Sequence, residues 1–411
     1  MLRFFYQVCL HLYALTSLPR FLWQRKGRSL KSWFALPKVP AKKKFRVWVH
    51  AVSVGEAKAA GPLIRRLKGE GYEIVLTSIT ATGHAEVKRS LPEVDYPLYL
   101  PLDLSYVIRP FVRMVDADLF LLCETDYWPT LLQAVKEGGA RICVINGKLS
   151  ARSARRYQRL GPFTRWLLGN VDHFCLQDGV YADRLVSLGI SRERMTVTGN
   201  LKYESPPKLL EGAALEAFKR ELKLSGPVIT IGSTHPGEEA TLLRSLMGKG
   251  KILLVPRHPH RFDEVARYLE GEGIRYGRYT ARERLTGEEE VILIDAMGVL
   301  SPCYQLSALS VVGGSFVPGI GGHNILEPLW CGSPCLFGPH MDDQPGMVEL
   351  VHRYGAALQL GAEELERRAG ELLGGGGEAL VAAGKKLLEG VQGATKQTFD
   401  LLTLEVNQGP R

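Results

Sequence analysis

A glycine-rich stretch late in this 411-residue chain has the residue types that hold a phosphorylated ligand. The apolar run Leu309–Val312 is typical of a buried strand, and the loop after it contains Gly314, Ser315 and Gly322. We expect a helix to open at Asn324. Its free backbone N–H groups and its dipole would then attract an anion.

Glu327 would fall in the first turn of that helix, where a carboxylate could accept the two hydroxyls of a ribose. The Gly-Lys-Ser/Thr of a P-loop does not follow this stretch. The glycines of the common dinucleotide motif lie in the first strand–helix turn, whereas these lie late in the chain. We therefore predict a nucleotide bound through its phosphate and its sugar, which favours a nucleotide-activated donor substrate.

Other candidate nucleotide contacts follow predicted strands of the second half. Ser233 and Thr234 lie in a second strand–loop–helix segment that could bind an anion, although either could simply cap the helix. Arg257, next to His258, is the best candidate phosphate clamp because a guanidinium binds phosphate through two hydrogen bonds. A surface arginine is the alternative. The pair Met297-Gly298 could pack against a base, on a weak pattern.

Two carboxylates mark strand ends in the first half. Glu56 closes the segment Ser53-Val54-Gly55-Glu56, whose Ser-x-x-Glu spacing is that of a capping box. A carboxylate at this edge could also act as a general base on an acceptor hydroxyl, and the two roles are compatible. Glu124 follows the apolar run Leu119–Cys123 and is either functional or a helix-entry acid favoured by the helix dipole.

Cations follow two further strands of the first half. Lys148 and Arg152 lie in the segment after Arg141–Ile145, where they either contact an anionic ligand or belong to a solvated loop. Lys202 ends Gly199-Asn200-Leu201-Lys202 and could neutralise a carboxylate or a phosphate.

Several kinds of site lack support in the sequence. No set of His, Asp and Glu has metal-ligand spacing, and neither a Gly-x-Ser-x-Gly elbow nor a Cys/His dyad occurs. The seven cysteines are scattered, without a Cys-x-x-Cys pair, which indicates reduced thiols in a cytoplasmic protein. We expect neither a metal nor a cofactor.

The positive charge is concentrated at the N-terminus. The formal net charge is +9, and no acidic residue precedes Glu56, whereas eleven lysines and arginines do. Such an arm suits an anionic lipid surface and, as an alternative, nucleic acid. We favour lipid because the arm follows the aromatic and apolar segment from Phe4 to Leu18.

That apolar segment is too short and too diluted for an ordinary spanning helix of about 20 apolar residues. A signal peptide is disfavoured because no small-residue cleavage site follows. We expect an interfacial anchor or a short span with its basic flank in the cytoplasm, and a buried first helix is the alternative.

Short β-branched runs alternate with helical stretches along the chain, which predicts parallel α/β layers. We expect two doubly wound, Rossmann-like sheets that face each other across a cleft, with ligands beyond the carboxyl ends of the strands. The predicted divisions are an anchoring segment at 1–40, an acceptor domain at 41–204, a linker at 205–226 and a nucleotide domain at 227–411. One amphipathic helix, about Lys385–Leu404, could pack back on the first domain.

Six of these segments, in this order, resemble the 3-deoxy-D-manno-octulosonic acid (Kdo) transferases of lipopolysaccharide synthesis. They are His50-Ala51-Val52-Ser53-Val54-Gly55-Glu56, Glu124-Thr125-Asp126-Tyr127-Trp128-Pro129, Gly147-Lys148-Leu149-Ser150-Ala151-Arg152-Ser153, Val197-Thr198-Gly199-Asn200-Leu201-Lys202, Pro256-Arg257-His258-Pro259 and Gly321-Gly322-His323-Asn324-Ile325-Leu326-Glu327-Pro328. Any one segment alone would be a weak signal, whereas six in order across nearly the whole chain are specific.

The resemblance implies an inverting, metal-independent GT-B glycosyltransferase at the cytoplasmic face of the bacterial inner membrane. It would transfer Kdo from CMP-Kdo to the lipid A precursor, with no nucleic-acid partner. It implies that Glu56 is the general base and that Glu124, in the acceptor-side motif, is also needed. Seven residues match the CMP-binding half of the family: Ser233, Thr234, Arg257, Met297, Gly322, Asn324 and Glu327.

The chain departs from the family in its acceptor-side motif, because Asp126 and Tyr127 replace the usual Glu and Leu. This puts acceptor detail and the number of Kdo residues added in doubt. The rival interpretations are another GT-B enzyme that uses a UDP-sugar, such as a lipid-linked N-acetylglucosamine transferase or a sugar-nucleotide epimerase, and a non-catalytic membrane adaptor. Intact Glu56 and Arg257 argue against the adaptor.

Overall fold

The structure is a computed structural model that describes residues 6–8, 10–11, 16, 31–34, 36, 38–204 and 206–407. These residues form two compact units. One contains the residues up to 204 together with 391–407, and the other contains 206–390. Most of the predicted anchoring segment at 1–40 lies outside the described residues.

The first unit has alternating strands and helices. Its strands are β1 (Arg46–His50), β2 (Glu73–Ser78), β3 (Tyr96–Tyr99), β4 (Leu119–Cys123), β5 (Arg141–Gly147), β6 (His173–Leu176) and β7 (Met195–Val197). Its helices are α1 (Lys31–Phe34), α2 (Val54–Gly69), α3 (Ala81–Ser90), α4 (Ser105–Val115), α5 (Pro129–Glu137), α6 (Ala151–Arg159), α7 (Pro162–Gly169), α8 (Gly179–Ser187) and α17 (Ala394–Asn407), with 3-10 turns at Arg192–Arg194 and Leu201–Glu204.

The second unit repeats this alternation. Its strands are β8 (Val228–Thr234), β9 (Lys251–Pro256), β10 (Tyr276–Arg278), β11 (Val291–Leu293), β12 (Leu309–Val312), β13 (Cys335–Phe337) and β14 (Leu358–Gln359). Its helices are α9 (Gly212–Glu221), α10 (Glu239–Leu246), α11 (Phe262–Gly271), α12 (Leu300–Gln305), α13 (Leu326–Trp330), α14 (Pro345–Tyr354), α15 (Ala362–Glu371) and α16 (Glu378–Gly390), with 3-10 turns at Pro259–Arg261 and Tyr279–Arg284 and a π-helical turn at Leu372–Gly376.

Both sheets are seven-stranded and parallel, which confirms the predicted α/β class. Their orders are β3-β2-β1-β4-β5-β6-β7 and β10-β11-β9-β8-β12-β13-β14. In each sheet the chain reverses direction of winding beside its first strand, because β1 pairs with both β2 and β4, and β8 pairs with both β9 and β12. In doubly wound sheets such a switch point is where ligands bind, beyond the carboxyl ends of the strands.

The cores explain why these segments form strands. All five residues of β1 are buried, as are those of β4 and β12, which is expected of strands covered on both faces. The helix α17 closes the core of the first unit, since Phe399 and Leu402 join the buried cluster that contains Leu63 and Ile64 of α2.

Two local predictions were wrong, and one strand was missed. The single helix predicted at about Lys385–Leu404 is two helices, α16 and α17, and Gly393 between them has a φ of 102° that a helix cannot contain. The helix expected to open at Asn324 begins at Leu326 and has only five residues. The strand β10 was not predicted, because Tyr-Gly-Arg at a sheet edge gives no apolar run. None of the helices in the described ranges is both long and apolar enough to cross a membrane.

Candidate active site

The switch point of the first sheet brings two carboxylates to neighbouring strand ends. Glu56 follows β1 in the first turn of α2, and Glu124 follows β4 directly. The two strands are paired in register, with His50 opposite Leu122. Both carboxylates are largely buried, with 8% and 6% of their surfaces exposed. They lie close enough for the charge of Glu124 to raise the pKa of Glu56.

Glu56 is held in one position by its own helix terminus. Ser53 Oγ donates to Glu56 Oε1 at 2.8 Å and accepts from the Glu56 backbone N at 3.3 Å. The backbone N of Val52 donates to Oε2 at 2.9 Å. The cap is therefore real, yet each carboxylate oxygen keeps a lone pair that could accept a substrate proton. Gly55 is exposed and leaves the approach to this helix terminus open.

The environment of Glu56 favours the protonated form more than water does. Burial raises the pKa of Glu56, and the charges of Glu124 and Asp126 raise it further, while the hydrogen bonds from Val52 and Ser53 oppose them. The net effect is a raised pKa. A carboxylate with a raised pKa is a better proton acceptor near neutral pH, which suits a general base.

Glu124 has the opposite character, because two lysines contact it. Lys148 Nζ lies 2.6 Å from Oε2 and Lys202 Nζ lies 2.5 Å from Oε1. Burial raises the pKa of Glu124, but the two ammonium groups outweigh it and lower the pKa below its usual value. The helix-entry alternative for Glu124 is wrong, because α5 begins five residues later and has no acidic residue in its first turn.

The sequence analysis missed Asn146, which ties this cluster together. Its Oδ1 accepts from the backbone N of Leu201 at 2.9 Å, and its Nδ2 lies 3.5 Å from Glu124 Oε1. Asn146 and Glu124 both have left-handed backbones, with φ of 53° and 60°. Such conformations cluster at functional sites. An asparagine before a glycine at a strand end is the signal that could have found it.

Not every predicted acceptor-side residue joins this cluster. Lys148 and Lys202 do, through Glu124, and Ser53 does through Glu56. Arg152 lies exposed in the first turn of α6, and in the described part of the chain it contacts neither carboxylate.

The switch point of the second sheet is built around a buried carboxylate that the sequence analysis did not select. Glu238 is 1% exposed, and its Oε1 accepts from the backbone N of His235 at 2.8 Å and of Gly314 at 2.6 Å. It thereby links the loop after β8 to the loop after β12. Burial raises the pKa of Glu238, whereas these backbone N–H groups lower it, and the net shift is upward.

The glycine-rich loop is more tightly engaged with the protein than we expected. The N–H of Gly314 donates to Glu238, and the N–H of Gly322 donates to the Gly314 carbonyl at 3.0 Å. A Cβ at Gly322 would collide with Met341 Sδ. Ser315 is fully buried, donates to the Val312 carbonyl and accepts from the Gly338 N–H. The N–H groups of Gly314 and Gly322 and the hydroxyl of Ser315 therefore support the loop. Contact of these three residues with a nucleotide stays a prediction.

Basic groups lie at the same edge of the second sheet. Arg257 and His258 are exposed, and the Arg257 backbone N donates to the Thr234 carbonyl at 3.1 Å. The ring of His258 meets that of His235 edge-on at 5.3 Å. Ser233, next to the buried Thr234, has a φ of 59°. The exposed guanidinium of Arg257 thus lies beside a strained strand end, where it could bind a phosphate.

The remaining predicted nucleotide contacts follow β11 and β12 along the chain. Its Oε1 accepts from Ser301 Oγ at 2.8 Å, and burial raises its pKa, while Ser301 and the charge of Arg257 lower it. Asn324 is exposed, and its Oδ1 accepts from the Leu326 N–H at 3.0 Å. Met297 is 59% exposed beside Gly298, so its side chain is free to cover a base.

Comparison with known proteins decides the family. Residues 23–205 match the family model described as 3-Deoxy-D-manno-octulosonic-acid transferase (kdotransferase). A 3-deoxy-D-manno-octulosonic acid transferase of Chlamydophila psittaci is 35% identical over 87% of this chain and 85% of its own length. One from Haemophilus influenzae is 34% identical over 87% of this chain and 86% of its own length. The chain belongs to the 3-deoxy-D-manno-octulosonic acid transferase family.

The resemblance seen in the six segments is thus confirmed, and the chain is an enzyme of the glycosyltransferase class. A glycosyltransferase from Rickettsia africae has a similar structure, with a TM-score of 0.59 and 14% identity over 88% of this chain and 98% of that chain. That likeness concerns the fold alone, and it supports the predicted GT-B class.

In this Kdo transferase family member, the described residues hold no group of three or more His, Cys, Asp or Glu arranged to bind a metal ion. Its side chains offer a carboxylate with a raised pKa at Glu56, a carboxylate paired with two lysines at Glu124, and a carboxylate at Glu327 whose pKa the charge of Arg257 lowers. Such a set suits transfer of a group from a phosphorylated donor.

Proposed function

We propose that this enzyme transfers Kdo from CMP-Kdo to a hydroxyl of the lipid A precursor lipid IVA, with inversion at the anomeric carbon. Membership of the Kdo transferase family supports Kdo as the transferred sugar. The observation that carries the proposal is Glu56, a buried carboxylate with a raised pKa at the switch point of the first sheet.

Glu56 takes the proton of the acceptor hydroxyl while that oxygen attacks the anomeric carbon of Kdo. A new bond forms between the acceptor oxygen and the anomeric carbon, and the bond from that carbon to the CMP phosphate oxygen breaks on the opposite face. Lys148 and Lys202 form ion pairs with Glu124. Because both lysine side chains are partly exposed, they can also contact anionic groups of the acceptor or of Kdo.

The second unit binds the CMP part of the donor in this proposal. Glu327 accepts the ribose hydroxyls, and Met297 covers the base. Arg257 stabilises the charge that develops on the leaving phosphate. Because fixed cations supply this stabilisation, we propose that no metal ion is required.

We further propose that the first unit binds the acceptor and that the second unit binds the donor. The enzyme works at the cytoplasmic face of the inner membrane, where its acceptor lies, and its basic N-terminal residues attract anionic lipid.

The test is mass spectrometry of the product formed by the purified protein from CMP-Kdo and tetraacylated lipid A precursor, with EDTA present. We expect the acceptor to gain one or more Kdo units, and the mass also gives their number. Product that forms only after a divalent metal is restored would overturn metal independence alone. No product with or without metal would overturn the donor–acceptor assignment, and UDP-sugars would be the next donors to test on the same acceptor.

A further inference from the structure

Two histidines of the second unit face each other through the same ring nitrogen. His235 Nε2 lies 2.8 Å from His323 Nε2, and the rings stack with centroids 5.0 Å apart and an angle of 22° between their planes. His235 follows β8, and His323 belongs to the loop after β12, so the pair spans the two strands of the switch point. The proposed reaction mechanism uses neither residue.

This contact fixes how protons are distributed. A hydrogen bond between two Nε2 atoms contains one proton, so one ring donates and the other accepts. The only ring nitrogens left to meet a ligand are therefore the two Nδ1 atoms. In the neutral pair one Nδ1 carries a proton, and after uptake of one further proton both do. The protonated pair is then a cation with two N–H donors, which is the form that an anion would select.

A buried carboxylate holds the backbone on both sides of the pair. Glu238 Oε1 accepts from the N–H groups of both His235 and Gly314. Gly314 in turn packs against the ring of His323, because a Cβ at that position would come within 2.8 Å of its Cδ2. One buried carboxylate thus sets the separation of the two imidazoles. The pair is a built feature of the loops and not a chance contact of surface side chains.

Both positive and negative groups surround the pair. The groups near it from the adjoining elements are Arg257 and His258 after β9, Arg261 before α11, Glu238 before α10, and Asp343 beside Gly321 in the loop that precedes α14. Arg261 is paired with Glu239, and Glu238 is occupied by backbone N–H groups. The charges outside the pair that shift the pKa values of the two histidines come from Arg257, Arg261 and His258, and all of them lower those values. An anionic ligand would act against this effect.

The ligand-free pair is neutral near physiological pH. Burial lowers the pKa of His235, and the charges of His258, Arg261 and Arg257 lower it further. Burial, His235, Arg257 and His258 together lower the pKa of His323 to about 4. A bound anion acts in the opposite direction, because it favours the charged imidazole.

We propose that His235 and His323 form a phosphate-binding pair that takes up one proton when a nucleoside monophosphate binds beside Arg257. The inference rests on the proposed function, because it places the CMP phosphate of the donor at this edge of the second sheet. Donor binding is then linked to pH through the pair and not through the catalytic carboxylates.

The experiment is calorimetric titration of the full-length protein with CMP, from pH 6.5 to 8.5, in pairs of buffers that differ in ionisation enthalpy. We expect proton uptake on binding, approaching one per CMP. The affinity should fall as pH rises, by at most about tenfold per pH unit, and level off above the pKa of the occupied pair. In His323→Gln the affinity at pH 6.5 should fall about tenfold, and the uptake should disappear.

His352→Gln is the matched control, since His352 is an exposed histidine of α14 beside Phe337 and should leave both quantities unchanged. CMP binding without proton uptake by the unaltered protein would overturn the role of the pair, and so would uptake that persists in His323→Gln. In either case the proposed donor would stand. An absence of CMP binding at every pH would instead overturn the proposed donor, and the role of the pair with it.

Discussion

Two glutamates of the first unit show how neighbouring residues of one type acquire different chemistry. Glu56 and Glu124 follow adjacent strands and are similarly buried. Burial raises the pKa of both. Among the described residues, lysines lie within contact distance of Glu124 and not of Glu56, and they reverse the shift at Glu124. Two carboxylates whose pKa values move apart are typical of a proton-accepting group beside a group that stays charged.

Replacement of Glu56, the proposed general base, tests this division of roles. In Glu56→Gln the amide keeps the shape of the side chain but cannot accept the acceptor proton, so we expect the turnover rate to fall by about 10²- to 10⁴-fold. The affinity for CMP should not change, because the proposed nucleotide contacts lie in the second unit. Initial rates with CMP-Kdo, together with calorimetry of CMP, measure both quantities. A variant with a near-normal rate would contradict the assignment.

The pH dependence provides a second test at the residue scale. Glu56 is active only when deprotonated, and its pKa is raised, so kcat/KM should fall on the acidic side at a pH above the ordinary glutamate value of 4.5. The charge of Glu124 contributes to that shift. Glu124→Gln should therefore move the acidic limb of the remaining activity to lower pH, whatever its effect on the rate itself.

The exposed Glu70, at the C-cap of α2, offers a matched control for the pH profile. Glu70→Gln removes one negative charge from the same helix at its far end. The acidic limb of the kcat/KM profile should therefore stay at the same pH. A limb that moves upward in Glu124→Gln, or equally in both variants, would contradict the proposed coupling.

At the scale of elements, the strands were the predictable part. Runs such as Leu119–Cys123 and Leu309–Val312 are mostly apolar because both faces of the sheet are covered. That composition can be recognised from the sequence alone. The position of a polar residue directly after such a run then places it at the ligand-binding edge. Glu124 was found in this way, as was Arg257.

The hydrogen bonds between loops could not be predicted from the sequence. The sequence analysis did not select Glu238, because only the fold brings the Gly314 N–H to its carboxylate. Ser315 looked like a ligand contact, whereas the fold turns its hydroxyl toward Val312 and Gly338. Contacts across β8 and β12 depend on strand order, which the local pattern does not contain.

Substitutions in helix α17 test how much this helix stabilises the core of the first unit. Phe399 is 6% exposed, belongs to the core beside α2, and lies under the guanidinium of Arg66 at 4.4 Å. Phe399→Ala should lower the free energy of unfolding of this unit by about 3–5 kcal/mol, because it leaves a cavity. Leu404→Ala, at a position of α17 that is 64% exposed, should change it by less than about 0.5 kcal/mol.

Chemical denaturation of both variants, followed by a probe of the first unit, measures the difference. Equal small effects would mean that α17 contributes little to the core of the first unit. Equal large effects would mean that the helix is held by its exposed face, contrary to the buried position of Phe399.

On the scale of the whole molecule, the basic N-terminal arm is less uniform than its sequence indicates. Arg46 is fully buried, with its guanidinium on Glu73 at 2.7 Å and on the carbonyls of Val115 and Pro40. Lys42 lies 2.7 Å from Asp118. These two cations stabilise the first unit and contribute little to an attraction for lipid. Lys43 and Lys44, by contrast, are exposed.

This distinction gives a sharper test of membrane attraction than deletion of the N-terminus. Deletion would also remove Tyr6, whose hydroxyl donates to the buried Asp103 at 2.8 Å. Replacing Lys43 and Lys44 by glutamine should instead weaken binding to anionic vesicles by about 1 kcal/mol per lysine, or roughly 30-fold in total. Lys42→Gln should lower thermal stability and leave vesicle binding nearly unchanged, because Lys42 is already paired. Flotation with anionic and with zwitterionic vesicles measures the binding. If the double variant binds anionic vesicles as tightly as the unaltered protein, then another surface attracts the lipid, and the proposal that the basic arm does so is wrong.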